Sequence, residues 1–564
     1  MHMNATDRRR ITAALVCLIG ALCMLLAPAA CTQPTKFTPL PKRSSSSQTS
    51  GQPDGSLSKT PPAKSNAPLA APATATPRLP GQWQSISLSD PRAAGIPSTP
   101  REFRGVWVAT VDNIDWPSTK FLTSAQQQAE ISRIVDTAAA LNFNTIVLQV
   151  RPTCDAIYPS TIEPWSEFLT GRSGRPPSTP YDPLKMWTDA AHAKGLLVHA
   201  WFNPFRARHQ QTQFPDAASH VSKTHPAMVK KYGDYLWLDP GEPWVHDRAI
   251  SIVRDLLSRY DLDGIHIDDY FYPYPQNKLE FDDRASFGRY KQGGGTLARD
   301  DWRRQNVDRF VERLYREVKT MKRTALVGIS PFGIWRPGNP PGVQSMDPYV
   351  LLHADSRRWL KEGWLDYIAP QLYWNVDSKG QPFEPLLKWW VAENTKRRHV
   401  WPGLYTSRVG GKEGKVWNAN EIARQLDIIR KTPGAGGAVH FSAVALLENR
   451  PGLNDVLRSA YATPALIPAT PWLDASPPPP LGVIAVPSAR VDTLSLTLTP
   501  AGEPPFRIVV GTRYANSWKC SILPGETTTT SVPARNADGA SLQCVVISAV
   551  DRLGNESAKT VLVP

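Results

Sequence analysis

Several chemistries are missing from this 564-residue chain before anything else is read. It has no glycine-rich phosphate loop, no His-Glu-x-x-His and no Gly-x-Ser-x-Gly, so the usual sequence signs of phosphate-loop, zinc-peptidase and serine-hydrolase chemistry are absent. No helix-turn-helix or zinc-finger pattern occurs. The 64 Lys and Arg are scattered among 50 Asp and Glu. The net charge of +14 therefore suits an anionic neighbour such as a surface or polymer, and no nucleic-acid partner is expected. Cysteine is scarce at 6 residues, and neither a metal centre nor a cofactor is expected.

What is present begins at the amino end. Arg8, Arg9 and Arg10 precede an apolar run from Ile11 to Leu26, then Ala27-Pro28-Ala29-Ala30-Cys31, the layout of a secretion signal. Small residues before a cysteine resemble a bacterial lipoprotein signal in which Cys31 is lipidated, giving an exported protein held at the periplasmic or outer-membrane face. Pro28 stands where such a signal has an aliphatic residue, so cleavage near Ala29 or Ala30 is the alternative. A retained membrane helix is the third, although the run is short for a hydrocarbon core of about 30 Å. Residues 32–100 are mostly Ser, Thr, Pro and Ala, with little to bury, and are expected to be a disordered tether.

From Phe103 on, the pattern alternates. Strands are expected at 103–110, 145–150, 196–202, 262–268, 325–330, 367–373, 400–405 and 437–441. Helices are expected at 124–141, 184–194, 249–259, 306–321, 356–362, 386–396, 421–429 and 453–460. Eight such units imply a parallel sheet closed as a (β/α)8 TIM barrel over 101–463. Ser124 is placed as the cap of the first helix, with Ile131, Ile134, Val135 and Ala138 on its buried face. Prolines in 464–480 form a stiff linker. Residues 481–564 alternate apolar and polar residues in short strands, as in a small β-sandwich. Within it, Cys520 and Cys544 are expected to form a disulfide in an exported protein.

The stretch Leu262-Asp-Gly-Ile-His-Ile-Asp-Asp-Tyr-Phe-Tyr-Pro273 organises the rest. Ile265 and Ile267 alternate with His266 and Asp268, so in a barrel the isoleucines face the helices while His266 and Asp268 lie along the axis. Asp268 then emerges at the strand-end rim that carries the chemistry of such barrels. The alternative is a turn or helix cap formed by Asp268 or Asp269. The other strand ends contribute Arg151, Trp165, Trp201, Asn203, Arg206, Tyr270, Gln371, Tyr373, Trp374 and Tyr405. Sixteen of the 19 tryptophans lie between Trp107 and Trp417, as core packing or as platforms for sugar rings.

This mixture of acids, amides, arginine and aromatics suits glycoside cleavage, which needs one acid to protonate the leaving oxygen and another in charged form. Asp268 is assigned the charged role. Glu163 is the expected proton donor, because Pro164 and Trp165 would desolvate it and raise its pKa; the alternative is a solvated loop residue, with Asp269 and Asp115 as substitutes. His199 and His266 could join Asp268 as metal ligands, but buried hydrogen-bonded histidines are the commoner outcome. Cys154 beside Arg151 could be an activated thiol, yet no partner base is evident and inert packing is the simpler reading.

Several of these segments resemble the glycosyl-hydrolase-like 10 family. They are Phe103-Arg-Gly-Val-Trp-Val-Ala-Thr110 with Asp115-Trp-Pro-Ser118, then Gln149-Val-Arg-Pro152, Ile162-Glu-Pro-Trp-Ser166 and Gly264 to Pro273. Ser330-Pro-Phe-Gly-Ile-Trp-Arg336 and Pro370-Gln-Leu-Tyr-Trp374 follow in order. The resemblance implies a bacterial envelope lipoprotein with a (β/α)8 barrel and often a fibronectin type III-like tail. It also implies glycoside hydrolysis, with some relatives acting on peptidoglycan glycan strands that lack stem peptides. Asp268, Glu163 and Asp269 are the expected catalytic residues; Arg151, Trp165, Trp201, Asn203, Arg206, His266, Tyr270, Gln371, Tyr373, Trp374 and Tyr405 are the expected substrate contacts. Hydrolysis of another polysaccharide and a barrel that only binds carbohydrate are the alternatives.

Overall fold

Short runs of β-branched and aromatic residues, each followed by an amphipathic helix, produce the parallel sheet at the centre of the molecule. In the computed structural model, which describes residues 82–277, 279–411, 416–488 and 492–564, the strands Phe103–Val108, Thr145–Arg151, Leu197–Phe202, Gly264–Ile267, Leu326–Ile329 and Tyr367–Ile368 lie side by side in sequence order. His399–Val400 continues the sheet beyond Tyr367–Ile368, and Gly437–His440 flanks Phe103–Val108 at the other end. Gly403–Leu404 pairs with Gly437–His440. Because His399–Val400 and Gly403–Leu404 are two pieces of one stretch interrupted at Trp401-Pro402, the two ends of the curled sheet meet. Hydrogen bonds from Trp401 and Gly403 to the 368 and 370 carbonyls complete the contact.

The interior is filled by stacked side chains, as such sheets require. Glycine makes room for two of them. A Cβ at Gly328 would fall 1.8 Å from the Tyr367 ring, and one at Gly264 would fall 2.8 Å from His199. Ile265 and Ile267 are fully buried and share one core cluster with side chains of the helices Pro243–Arg259 and Arg299–Met321. The first helix, Ser124–Ala140, is capped one residue earlier than expected, by Thr123. Thr123 accepts from the Gln126 amide, and Gln126 returns a bond to the Thr123 amide. Ser124 is instead buried, accepting from the Thr179 amide.

Two antiparallel sheets make up the carboxyl-terminal unit. One contains Arg507–Tyr514, Ser517–Pro524, Leu542–Val550 and Thr560–Val563; the other contains Gly482–Pro487, Thr493–Thr499 and Thr529–Pro533. Leu494, Leu496 and Leu498 meet Ile508, Val510, Val545 and Ile547 in a shared core. Three expectations are corrected in this region. Residues 82–100 are not part of a tether: Gln84–Ile86 pairs with Thr560–Val563 and Trp83 is buried in the shared core, because both supply apolar side chains to an open sheet edge. The 464–480 segment is no free spacer either. Leu466 pairs with Arg101, Leu473 joins the main core and the Trp472 indole donates to Asp366. Cys520 and Cys544 are free thiols. They sit on strands that flank Arg507–Tyr514 from opposite sides, so two strand spacings of about 9–10 Å separate them, beyond the roughly 7 Å that a disulfide spans.

This unit docks beneath the strand starts of the parallel sheet. Arg552 pairs with Asp261 at 2.7 Å and Asp263 at 2.9 Å, and Arg101 pairs with Glu556 at 3.2 Å. The strand-end rim is left open. No helix among the described residues is long and apolar enough to cross a membrane; the expected signal and Cys31 lie outside the described residues.

Candidate active site

At the strand-end rim, Asp268 and Asp269 line a narrow cavity of about 20 Å³ together with Trp107, Trp201, Tyr270, Ser330, Gln371, Tyr373 and Phe441. Alternation in the neighbouring strand explains how Asp268 is held. His199, Trp201 and Asn203 share one face, and Trp201 is in register with His266. Asn203 Nδ2 donates to both Asp268 oxygens at 2.8 and 2.7 Å, and Trp201 Nε1 donates at 3.2 Å. The Tyr270 amide adds a bond at 3.3 Å. Asn203 is itself oriented: its Oδ1 accepts from Gln149 Nε2 at 2.7 Å and from Arg206 Nη2 at 3.1 Å.

Asp269 is treated differently. Tyr274 donates its hydroxyl proton to Oδ2 and Gln371 also hydrogen-bonds the carboxyl. Burial, followed by the adjacent charge of Asp268, pushes Asp269 up to about 7. Burial also raises Asp268, against the opposing pull of the Arg206 charge and the bonds from Asn203, Tyr270 and Trp201. The two carboxyls titrate as a pair. Four hydrogen bonds from three donors and a nearby guanidinium favour the anion on Asp268, so the shared proton belongs on Asp269. The pair thus offers a charged carboxylate beside a carboxylic acid that keeps its proton close to neutrality.

The expected proton donor is overturned. Glu163 is buried and holds Arg151 in a two-pronged pair, with Arg151 Nε at 2.6 Å and Nη2 at 2.7 Å, while Arg248 approaches at 3.3 Å. Burial alone would raise its pKa, but the Arg151 charge and hydrogen bonds, with Arg248 and His220, hold it below the ordinary value. Glu163 is a structural anion outside the cavity. Arg151 is likewise withdrawn from substrate contact, because it also donates to the Asn203 carbonyl and meets Cys154 Sγ. Burial pushes the Cys154 thiol up to about 12, as befits inert packing.

His266 is corrected as well. The Trp107 indole can only donate, so His266 Nε2 accepts from it at 3.3 Å, and Nδ1–H donates to Tyr367 Oη at 2.9 Å. Tyr367 in turn faces His199 Nδ1 at 2.9 Å. The two histidines are therefore tied to each other through Tyr367 beneath the cavity, and they do not converge on Asp268. Trp165, Trp374 and Tyr405 do not line the cavity. Tyr405 stacks behind Tyr373 at 5.0 Å and Trp374 packs edge-on against Phe332. Asn203 and Arg206 act by holding Asp268. Asp115 accepts from the Ala109 and Val444 amides and from Ser442, a loop-fixing role, and burial raises it to about 6.

Trp201, Tyr270, Gln371 and Tyr373 are brought to the cavity as expected. Ser330, at its strand end, also lines the cavity, and Trp107, Phe441 and Tyr274 were missed as site residues. The inward parity of Trp107 within Phe103–Val108 and the run of tyrosines after Asp269 were the signals that could have found two of them.

A curled parallel α/β sheet with two acids and aromatic walls at its strand ends defines a glycoside hydrolase of barrel-like fold. The chain belongs to the glycosyl hydrolase-like 10 family, whose model matches residues 102–419. It is 37% identical over 387 residues to "Glycosyl hydrolase YngK" of Bacillus subtilis strain 168, covering 67% of this chain and 75% of the relative. It is 34% identical over 388 residues to "Glycosyl hydrolase DigH" of Escherichia coli K12, covering 63% and 87%. Among solved structures it is similar to the PgaB (BpsB) glycoside hydrolase domain of Bordetella bronchiseptica, with 17% identity, a TM-score of 0.41, and coverage of 64% of this chain and 99% of that one.

Proposed function

We propose that this protein is an exported (β/α)8 hydrolase of peptidoglycan glycan strands freed of their stem peptides, carrying a fibronectin type III-like module beneath the barrel. The observation that carries the catalytic reading is the Asp268–Asp269 pair, in which burial and the neighbouring Asp268 charge push Asp269 up to about 7 while Asp268 is held by Asn203, Trp201 and the Tyr270 amide. Asp269 protonates the leaving glycosidic oxygen. Asp268, fixed by Asn203 and Trp201, supplies the negative charge that stabilises the oxocarbenium-like transition state or attacks it. Trp107, Trp201, Tyr270, Tyr373 and Phe441 offer ring faces to pyranose units and exclude water.

The peptidoglycan assignment rests on the motifs and on the charge of +14, which suits a polymer bearing carboxylates. Attachment through Cys31 rests on the Arg-rich start and apolar run before it. Reducing-end release from peptide-free wall glycan, measured beside a panel of neutral glucans, tests the substrate. Release from the wall glycan alone is expected; release from the glucans alone would replace it with another polysaccharide. No release from either, with glycan binding retained, would leave a carbohydrate-binding barrel.

A further inference from the structure

A cavity of about 690 Å³ lies apart from the one that holds the acids. It opens on the same rim. One wall, Tyr272 and Pro273, begins four residues after Asp268, so the two sites lie no more than about 14 Å apart by the reach of the chain. The other walls come from the start of the helix Arg299–Met321 and from the short helix Pro348–Leu351 in the segment after strand Leu326–Ile329. Leu279, Val350 and Leu351, at 47%, 39% and 39% exposure, stand at its edge, an unusual grouping of large apolar side chains in water.

Inside, Tyr272 and His353 are buried at 1% and 5% exposure, with their rings edge to face at 4.8 Å. Neither the Tyr272 hydroxyl nor His353 Nδ1 has a hydrogen-bond partner, an uncommon condition for buried polar atoms. Their protonation follows from their neighbours. His353 Nε2 faces Arg303 Nη1 at 3.4 Å; a guanidinium can only donate, so Nε2 accepts and Nδ1 carries the hydrogen. Burial, reinforced by Arg303, Arg304 and Arg299, holds His353 down to about 2, and burial holds Tyr272 well above its ordinary value. Both groups are neutral donors at any physiological pH. Arg303 is already committed, donating to the buried Asp283 at 2.6 and 3.0 Å. At the mouth, Glu280 pairs with Arg299 at 3.6 Å and Asp300 with Arg303 at 3.5 Å.

We propose that this cavity is a distal glycan subsite for an N-acetylated hexosamine unit, whose acetamido carbonyl accepts from Tyr272 and His353 while its methyl group packs against Phe281 and the aliphatic edge. A volume of this size lies within the range of small-ligand pockets. Apolar walls with two buried, unpartnered donors match an acetamido group. The assignment rests on the glycan-hydrolase reading and adds to it where the polymer is gripped.

The test is calorimetric binding of N-acetylglucosamine oligomers and their deacetylated counterparts to the full chain, in the Asp269→Asn background so that nothing is cleaved. N-acetylated oligomers are expected to bind at least tenfold more tightly. Tyr272→Phe and, independently, Val350→Trp at the exposed edge are expected to weaken that binding at least tenfold. Equal binding of acetylated and deacetylated oligomers, or binding that Val350→Trp leaves unchanged, overturns the subsite. Binding that Val350→Trp abolishes in a protein that hydrolyses no glycan would keep the subsite and remove the hydrolase reading. Turnover of wall glycan with an unaffected Val350→Trp variant would do the reverse.

Discussion

Asp263 and Asp268 stand at opposite ends of the four-residue strand Gly264–Ile267, both buried, and the protein uses them in opposite ways. At the strand start, Asp263 meets His192 at 2.8 Å, the Val198 amide at 2.9 Å and Arg552 at 2.9 Å. Burial alone would raise its pKa, but His192, the Val198 amide and Arg552 hold it below the ordinary carboxylate value. At the strand end, Asp268 and Asp269 are both raised, because their partners only partly offset desolvation and they repel each other. One rim is satisfied and carries the docked β unit; the other keeps an electrostatic tension. In barrels of this kind the first arrangement serves stability and the second serves chemistry.

The largest effect that would break this contrast is at the strand end. Asp269→Asn should lower turnover of wall glycan by about 10²- to 10⁴-fold, the usual worth of a positioned general acid, with circular dichroism unchanged. A variant of nearly full activity would remove Asp269 from the chemistry. At the strand start, Asp263→Ala should cost about 3–5 kcal/mol, since it strands partners of a buried ion pair, while turnover per folded molecule stays within a few-fold. Urea unfolding and active-site titration read the two quantities separately. Glu163→Gln belongs with Asp263: a loss of about 1–3 kcal/mol is expected from weakening the bonds to buried Arg151, without the turnover collapse that a proton donor would show.

The sign of the pH dependence sharpens the comparison further. Asp269 moves from an ordinary 3.8 to about 7 in the folded state, so between those values the folded protein binds more protons than the unfolded chain and loses stability as pH rises. Asp269→Asn should therefore gain stability over the parent progressively from about pH 4 to about 7 and hold that gain above it. Asp263, lowered on folding, contributes stability that is present above its unfolded value and lost in acid. The rate profile should fall on the alkaline side near 7 as the acid pair loses its shared proton. The smallest effect concerns Cys520 and Cys544: reductant should leave the melting temperature unchanged, because the two thiols are not joined.

The order of elements was legible because it is local. Alternating Ile and His in 264–267, and the buried face of 124–140, follow from side-chain periodicity within one element. The placement of Asp268 on the axis, with Trp201, Tyr270, Gln371 and Tyr373 around it, followed from counting parity along strands. Glu163 did not follow. Its Pro-Trp neighbours suggested desolvation, but the pKa was decided by Arg151, twelve positions away in sequence and folded back onto it, and by Arg248, which lies farther still along the chain. The same limit applied to Trp83, whose partner strand comes from the other end of the chain.

Periodicity, strand parity and short motifs were thus enough for the sequence to determine the sheet, its order and the aspartate at the rim, since each depends on residues a few positions apart. Which acid keeps a proton, which glutamate is neutralised, and where the carboxyl-terminal unit docks were decided only by tertiary structure. Those outcomes depend on charges and hydrogen-bond donors brought within about 3 Å from distant segments, where burial makes each neighbour count.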